Sequence, residues 1–366
     1  MGQQSAKSSD VESKQGDEVA AQSPTQKHSD ISSAQTEFQR IIIGKYSIAA
    51  WYASPYPDEF KQGPDLYICE RCLKYMRYRR SLDEHQCEDA LSRGQPVYED
   101  MSTVLYEVDG KEHMLYCQNL CLLSKMFLDQ KTIYYDIGGF LFYILFVKSF
   151  EDGRLKYSFA GYFSKEKVSV ERNNLACILV LPPFRGQNYG QLLIELSYEL
   201  TKLERTTGGP EQPLSSQGFH SYRSYWRRAL IRALLGELPS AERYLQKSAH
   251  AMRKHTHDWE QGQRIFSLER LSQITGIRIE DVLFTMDDLG LLRIWSGRHV
   301  VCIADEDIRK IVAERRIKLG LRIDYDGLLV TYESEPEAES DSDDGSSQSA
   351  DSEASADESN SESDDN

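Results

Sequence analysis

Two short pairs of metal-binding side chains stand in the first quarter of the chain: Cys69-Glu-Arg-Cys72, then twelve residues, then His85-Gln-Cys87. Each pair can span adjacent corners of a tetrahedron, which is zinc-ligand spacing. Four protein ligands leave no open position, so zinc there would be structural. Buried free cysteines and a redox pair are the other readings of these residues. A second stretch, 174–214, offers phosphate chemistry. Its apolar run Leu175 to Leu181 reads as one buried strand closed by Pro182 and Pro183. The turn Arg185-Gly186-Gln187-Asn188-Tyr189-Gly190 follows, and then Leu192, Leu193, Leu196, Tyr198, Leu200 and Leu203 recur at roughly helical spacing. Strand, glycine-bearing turn and helix N-terminus together present backbone N–H groups and a favourable dipole to a phosphate. An ordinary strand–turn–helix joint has the same pattern.

The elements that must position these residues follow from periodicity. Ile41 to Tyr52 reads as two strands turning at Gly44-Lys45, ended by Ser54-Pro55-Tyr56-Pro57. Tyr75, Met76 and Leu82 would form a miniature core for the metal loop. From Tyr98 to Phe163 the pattern predicts consecutive strands with one short helix: Val104 to Val108, a turn at Asp109-Gly110, His113 to Tyr116, Asn119 to Phe127, Lys131 to Asp136 and Phe140 to Phe150. A helix opens at Arg223 and stops at Leu238-Pro239. Phe266 to Cys302 reads as helix–turn–helix plus hairpin, with Ser267 as cap, Gly276 as turn, and Ile279, Val282, Leu283 and Met286 facing inward. That outline is winged-helix-like. Its second helix offers Arg278 against Glu280, Asp281, Asp287 and Asp288, which argues against base reading and for a structural role.

The wording of several stretches resembles the MYST family of lysine (histone) acetyltransferases. These are Cys-Ile-Leu-x-Leu-Pro-Pro at 177–183, Tyr-Gly-x-Leu-Leu-Ile-Glu-x-Ser-Tyr-Glu-Leu at 189–200 and Pro-Glu-x-Pro-Leu-Ser at 210–215, with Leu-Cys-Leu-Leu-Ser-Lys at 120–125 and Phe-Leu-Asp-Gln-Lys-Thr at 127–132. The resemblance runs from about Ile41 to Tyr332. It implies an α+β fold: a GNAT-like mixed sheet core that binds acetyl-CoA, an N-terminal Cys-Cys-His-Cys zinc finger, and a C-terminal helix–turn–helix. The expected organisation is a disordered leader (1–36), strands and zinc finger (37–97), the acetyl-CoA-binding core (98–238), a polar, basic insertion with three histidines (239–264), the helix–turn–helix subdomain (265–332) and an acidic disordered tail (333–366).

The resemblance also implies roles. Glu211, between Pro210 and Pro213, would be the general base, and Cys177 would line the acetyl site or accept the acetyl group, with direct attack by the amine favoured. Backbone at Ile178 and Val180, the turn Gly186, Gln187, Asn188, Tyr189, Gly190 and Gln191, and Ser215 would contact acetyl-CoA. Cys69, Cys72, His85 and Cys87 would hold Zn2+, and Lys131 would be acetylated by the enzyme itself; without the resemblance, Glu211 is a loop carboxylate and Lys131 a surface lysine at a strand start. This chain departs from the family wording. Gly186, Gln187 and Gln191 stand where cations are usual, Asn188 where glycine is, Phe219-His220 near the lysine channel where two leucines are, and one residue rather than three separates His85 from Cys87. Weaker acetyl-CoA binding or altered substrate preference follows, and a weakened paralogue acting as a chromatin-complex scaffold is the alternative function.

Composition sets the remaining bounds. No run approaches the ~18 apolar residues of a membrane span, and the N-terminus carries no secretory apolar core. Met1-Gly2 lacks the residue at position 6 that myristoylation wants. Seven cysteines argue for a reducing compartment. Residues 333–366 hold fourteen Asp or Glu and no Lys or Arg, so the tail carries nearly all of the net charge of −15. Such a polyanion could engage basic partners, take phosphate on its serines or aid solubility. The expected partners are histone tails or other lysine-bearing proteins and subunits of a chromatin-modifying complex. The expected location is the nucleus, with no membrane and no sequence-specific DNA binding.

Overall fold

Gly44, at φ +54°, turns the first two strands onto each other in the computed structural model, which describes residues 40–87, 94–238 and 263–330. The leader, most of the 239–264 insertion and the acidic tail lie outside the described residues. β1 (Arg40–Ile43) and β2 (Tyr46–Ala49) form the expected hairpin. β3 (Asp65–Ile68) runs parallel to β1, and β4 (Tyr75–Met76) folds back on β3. Ile41, Ile43, Leu66 and Ile68 alternate onto one face and are fully buried, as a period of two requires. α1 (Arg79–Asp83) follows. The finger's core is more aromatic than expected. The Tyr75 ring meets Tyr56 and Phe60 edge-on, each at 4.8 Å, and Leu73 is buried where Leu82 stays half-exposed.

The core sheet is assembled from β5 (Gln95–Glu99), β6 (Thr103–Asp109), β7 (Phe140–Glu151), β8 (Arg154–Glu166) and β10 (Cys177–Val180), in the order β10-β8-β7-β6-β5 and antiparallel throughout. α2 (Met114–Lys125) crosses between β6 and β7. Three readings are corrected here. Met114–Lys125 is one continuous helix, because Tyr116, Leu120 and Leu123 recur at helical spacing and bury together. Residues 131–136 form no strand. The apolar run 175–181 is likewise not one strand. β9 (Asn173–Leu175) pairs with the later β11, β10 pairs with β8, and the chain changes sheets at Ala176.

α3 (Tyr189–Leu203) lays Leu192, Leu193, Leu196 and Leu200 on the sheet. β11 (Gly209–Pro210) leads into α4 (Ser216–Leu235), which starts two turns earlier than expected because Ser215 Oγ accepts the Gly218 N–H as N-cap. It ends on Gly236 at φ +72° rather than at Pro239. β12 (Gln263–Ser267), α5 (Leu268–Thr275), α6 (Ile279–Asp288), β13 (Leu292–Trp295) and β14 (Arg298–Ala304) build the helix–turn–helix and its wing, closed by α7 (Asp305–Glu314). Ser267 caps α5 through Arg270 N–H, and Ser296-Gly297 turns the hairpin, both as expected. Val282 and Met286 face inward, whereas Ile279 and Leu283 are exposed.

One join had no signal in the sequence. Glu195, buried in α3, pairs with Arg228 of α4 at 2.6 Å, and its other oxygen accepts the Arg322 and Ile323 N–H groups at 2.6 and 2.9 Å. Burial pushes the Glu195 pKa up, and Arg228 and the two backbone donors hold it back. The C-terminal segment is thereby stitched across the core, and Leu329 N–H reaches Val97 C=O.

Candidate active site and metal centre

β10 is the outer strand of its sheet, so one row of its backbone groups has no strand partner among the described residues. Its start is held firmly. Ala176 N–H donates to Ser164 C=O at 2.7 Å, and Cys177 N–H to Ser164 Oγ at 3.2 Å. Gly161 lets β8 approach, since a Cβ there would lie 2.3 Å from Leu179 O. Ile178 and Val180 sit on this open edge, half-buried, and Val180 C=O accepts Arg185 Nε at 3.0 Å. The Arg185 guanidinium lies 4.3 Å over the Trp51 ring.

The turn between β10 and α3 carries two left-handed residues. Gly186 and Asn188 have φ of +77° and +64°. The backbone N–H groups of residues 186 to 190 have no hydrogen-bond partner among the described residues. Successive free amides at a helix N-terminus are the recurrent solution for phosphate. Asn188 meets the demand for a left-handed residue without glycine. Asn188→Val is therefore expected to lose about 1–2 kcal/mol of stability while Asn188→Gly stays near wild type, read by urea denaturation. Equal stability of the two variants would mean the position does not hold a positive φ.

Cys177, Lys131 and Glu211 come together at the bottom of this edge. Glu211 N–H donates to Leu175 C=O at 2.9 Å, which holds its loop against the end of β9, two residues before Cys177 opens β10. Lys131 is 8% exposed, not a surface lysine, and its Nζ lies 3.7 Å from Cys177 Sγ. Burial opposes its charge. The Tyr162 hydroxyl and the Cys177 and Cys121 thiols more than offset that, so its pKa rises. The Glu211 carboxyl is also raised, by partial burial first and then by Glu166 and Glu171, with Lys131 pulling the other way. Arg278 steadies the loop, pairing with Asp281 and donating to Pro210 C=O.

Cys69, Cys72, His85 and Cys87 meet in the finger, their ligand atoms all within 4.8 Å of one another. Cys69 and Cys87 sulfurs are 3.6 Å apart, and Cys72 Sγ is 3.2 Å from His85 Nε2. The single residue between His85 and Cys87 is therefore enough for both to converge. Cys72 pushes the Cys69 thiol down to about 4, whereas Cys69 and burial push Cys72 up. Three thiols so close cannot all ionise without a cation among them.

A sequence profile of the MOZ/SAS family matches residues 91–328, and one of the MYST family zinc finger domain matches residues 36–88. The chain belongs to the MYST family. The chain is 41% identical over 280 residues to the Histone acetyltransferase Tip60 homolog of Caenorhabditis elegans, covering 76% of this chain and 56% of that protein. It is 40% identical over 301 residues to Histone acetyltransferase of the MYST family 1 of Arabidopsis thaliana, covering 81% and 60%. To Histone acetyltransferase MOF of Drosophila melanogaster it is 38% identical over 291 residues, covering 78% and 32%. The chain thus spans between a third and three fifths of the length of these curated relatives. Its Cys3His cluster fits the structural zinc of a MYST finger.

Within the MYST domain, two expected cofactor contacts are already engaged. Gln191 donates through Nε2 to Ser221 C=O and accepts Arg228 at 2.7 Å, so its side chain ties α3 to α4. Ser215 Oγ is occupied as the α4 cap. Tyr189 is buried against Phe184 and contributes backbone, not side chain, to the turn. Sequence reasoning missed Ser164, Tyr162 and Arg278. Each acts from a distant position in the chain, and nothing local marks them.

Proposed function

We propose that this chain is a protein lysine (histone) acetyltransferase that transfers acetyl from acetyl-CoA to a lysine side-chain amine. The observation that carries the reading is the run of unpartnered amides at 186–190, adjoining the β10 edge and the Cys177–Lys131–Glu211 cluster. The amides of the turn would hold the pyrophosphate, and the open edge at Ile178 and Val180 would take the pantetheine arm. Loss of the usual cations at 186, 187 and 191 leaves backbone donors as the main phosphate contacts. The relatives named above are histone acetyltransferases by name, which supports a basic, lysine-bearing substrate and a chromatin setting in the nucleus.

A lysine ammonium is almost wholly protonated at neutral pH and cannot attack. Glu211, with its pKa raised, would take that proton as general base. The freed amine attacks the thioester carbonyl, the C–S bond breaks, and the departing CoA thiolate takes up the proton that the attacking nitrogen sheds, leaving as the thiol. Cys177 would line the acetyl group without accepting it. Lys131 lies within the same site, and its own acetylation would first require its ammonium to lose a proton that its surroundings hold in place.

The test is CoA release on histone-tail peptides by zinc-loaded full-length chain, with Cys177→Ser alongside. Turnover, retained within about tenfold in Cys177→Ser, is expected for direct attack. Abolition in that variant, with an acetylated cysteine trapped in wild type, would replace direct attack by a covalent route. If wild type neither binds nor consumes acetyl-CoA, the catalytic reading is lost and a scaffold takes its place.

A further inference from the structure

The acidic second helix of the winged-helix element does not stand apart from the site. Arg278 N–H donates to Gly208 C=O, Gly208 N–H to Gly276 C=O, and the Arg278 side chain reaches Pro210 C=O, so the α5–α6 turn is strapped to the Glu211 loop. Beside this strap lies a groove of about 720 Å³, lined by Gln212 and Pro213, directly after Glu211, and by residues that include Phe219, Trp226, Asp281 and Phe284. Its aromatic rings form a cluster. Phe284 meets Phe219 at 5.8 Å and Trp226 at 6.4 Å, both edge-on, and remains 42% exposed.

The groove's charge is as informative as its shape. Its lining holds one histidine, His220, and no lysine or arginine. Asp281 spends Oδ2 on Arg278, and its Oδ1 has no partner among the described residues. Burial raises the Asp281 pKa, so a second cation there would be welcome. Glu280 and Asp287 extend the acidic surface of α6. An aromatic wall with a carboxylate suits a side chain that is apolar along its stem and cationic at its tip.

We propose that this groove selects substrates, taking an arginine or lysine next to the acceptor lysine, its stem along Phe219 and Phe284 and its cation at Asp281. The inference rests on the acetyltransferase reading, and it gives Phe219, one of the chain's departures from family wording, a task in substrate choice. Gln212 and Pro213 follow Glu211 directly and line the groove, so a residue next to an acceptor lysine held at Glu211 is within reach of it.

The experiment compares short peptides with one lysine and, at a neighbouring position, either arginine or norleucine, titrated calorimetrically into the full-length chain. Arginine is expected to bind tighter by on the order of tenfold at one flanking position. Phe284→Leu, which keeps apolar volume without a ring, and Asp281→Asn should each shrink that ratio. Equal affinities in wild type, tighter binding of norleucine, or an undiminished ratio in both variants would overturn the proposal. CoA release on the same peptides is scored separately. A binding preference without turnover sinks the catalytic reading and leaves the groove standing, and turnover without a preference does the reverse.

Discussion

Glu211→Gln is expected to lower kcat/KM for peptide acetylation by about 10²–10⁴-fold, the share that a positioned general base supplies. Glutamine keeps the shape and the N–H bond to Leu175 C=O, so the fold and acetyl-CoA affinity should hardly change. The loss would fall on kcat at saturating peptide. The pH dependence adds an independent check. A base must be ionised, and burial with Glu166 and Glu171 raises the Glu211 pKa, so the activity rises with pH through a midpoint above the usual ~4.3 of glutamate. Removing a neighbouring negative charge by Glu171→Gln lowers that midpoint and extends activity to more acid pH. An acid limb that does not move, together with a near-normal rate in Glu211→Gln, would assign the proton transfer to another group.

Removal of zinc is the second large effect. Structural zinc in comparable finger peptides contributes an apparent 10–16 kcal/mol at neutral pH, as much as the whole stability of an ordinary domain, about 5–15 kcal/mol. Chelation, or Cys72→Ala, is therefore expected to melt β1–β4 outright. The consequence should travel inward along specific contacts. Trp51 and Tyr52 N–H groups both donate to Met126 C=O at 3.0 Å, and Ser54 Oγ to Leu122 C=O at 2.7 Å. Those bonds hold the end of α2, from which the chain runs on to Lys131. Stoichiometric zinc analysis, far-UV dichroism and hydrogen exchange with and without chelator read the effect. Exchange protection of residues 40–50 that is unchanged after complete zinc loss would show the finger folds on packing alone.

Some features were determined by sequence alone because the governing interactions are local. The Cys-x2-Cys and His-x-Cys pairs carry their own reach, and the hairpin at Gly44 and the caps at Ser267 and Gly276 depend on a few consecutive residues. Asn188 in place of glycine was legible for the same reason, as few other residues tolerate a positive φ. For Glu211 and Cys177 the sequence offered only motif wording as the basis of an expected role, since no spacing could assign one. What only the tertiary structure decided is long-range. Met114–Lys125 could alternate or spiral until Tyr116, Leu120 and Leu123 met a common core. The apolar run through Ala176 reads as one strand until β9 and β10 take different partners, a choice set by residues far along the chain. Lys131 looks like any surface lysine until β8 and β10 close over it and its ammonium finds Cys177 and Tyr162. The acidic α6 excluded base reading by composition, but only its strap to the Glu211 loop made it a wall of the groove. Periodicity records which faces are apolar; which faces meet is settled by packing among residues separated by tens to hundreds of positions.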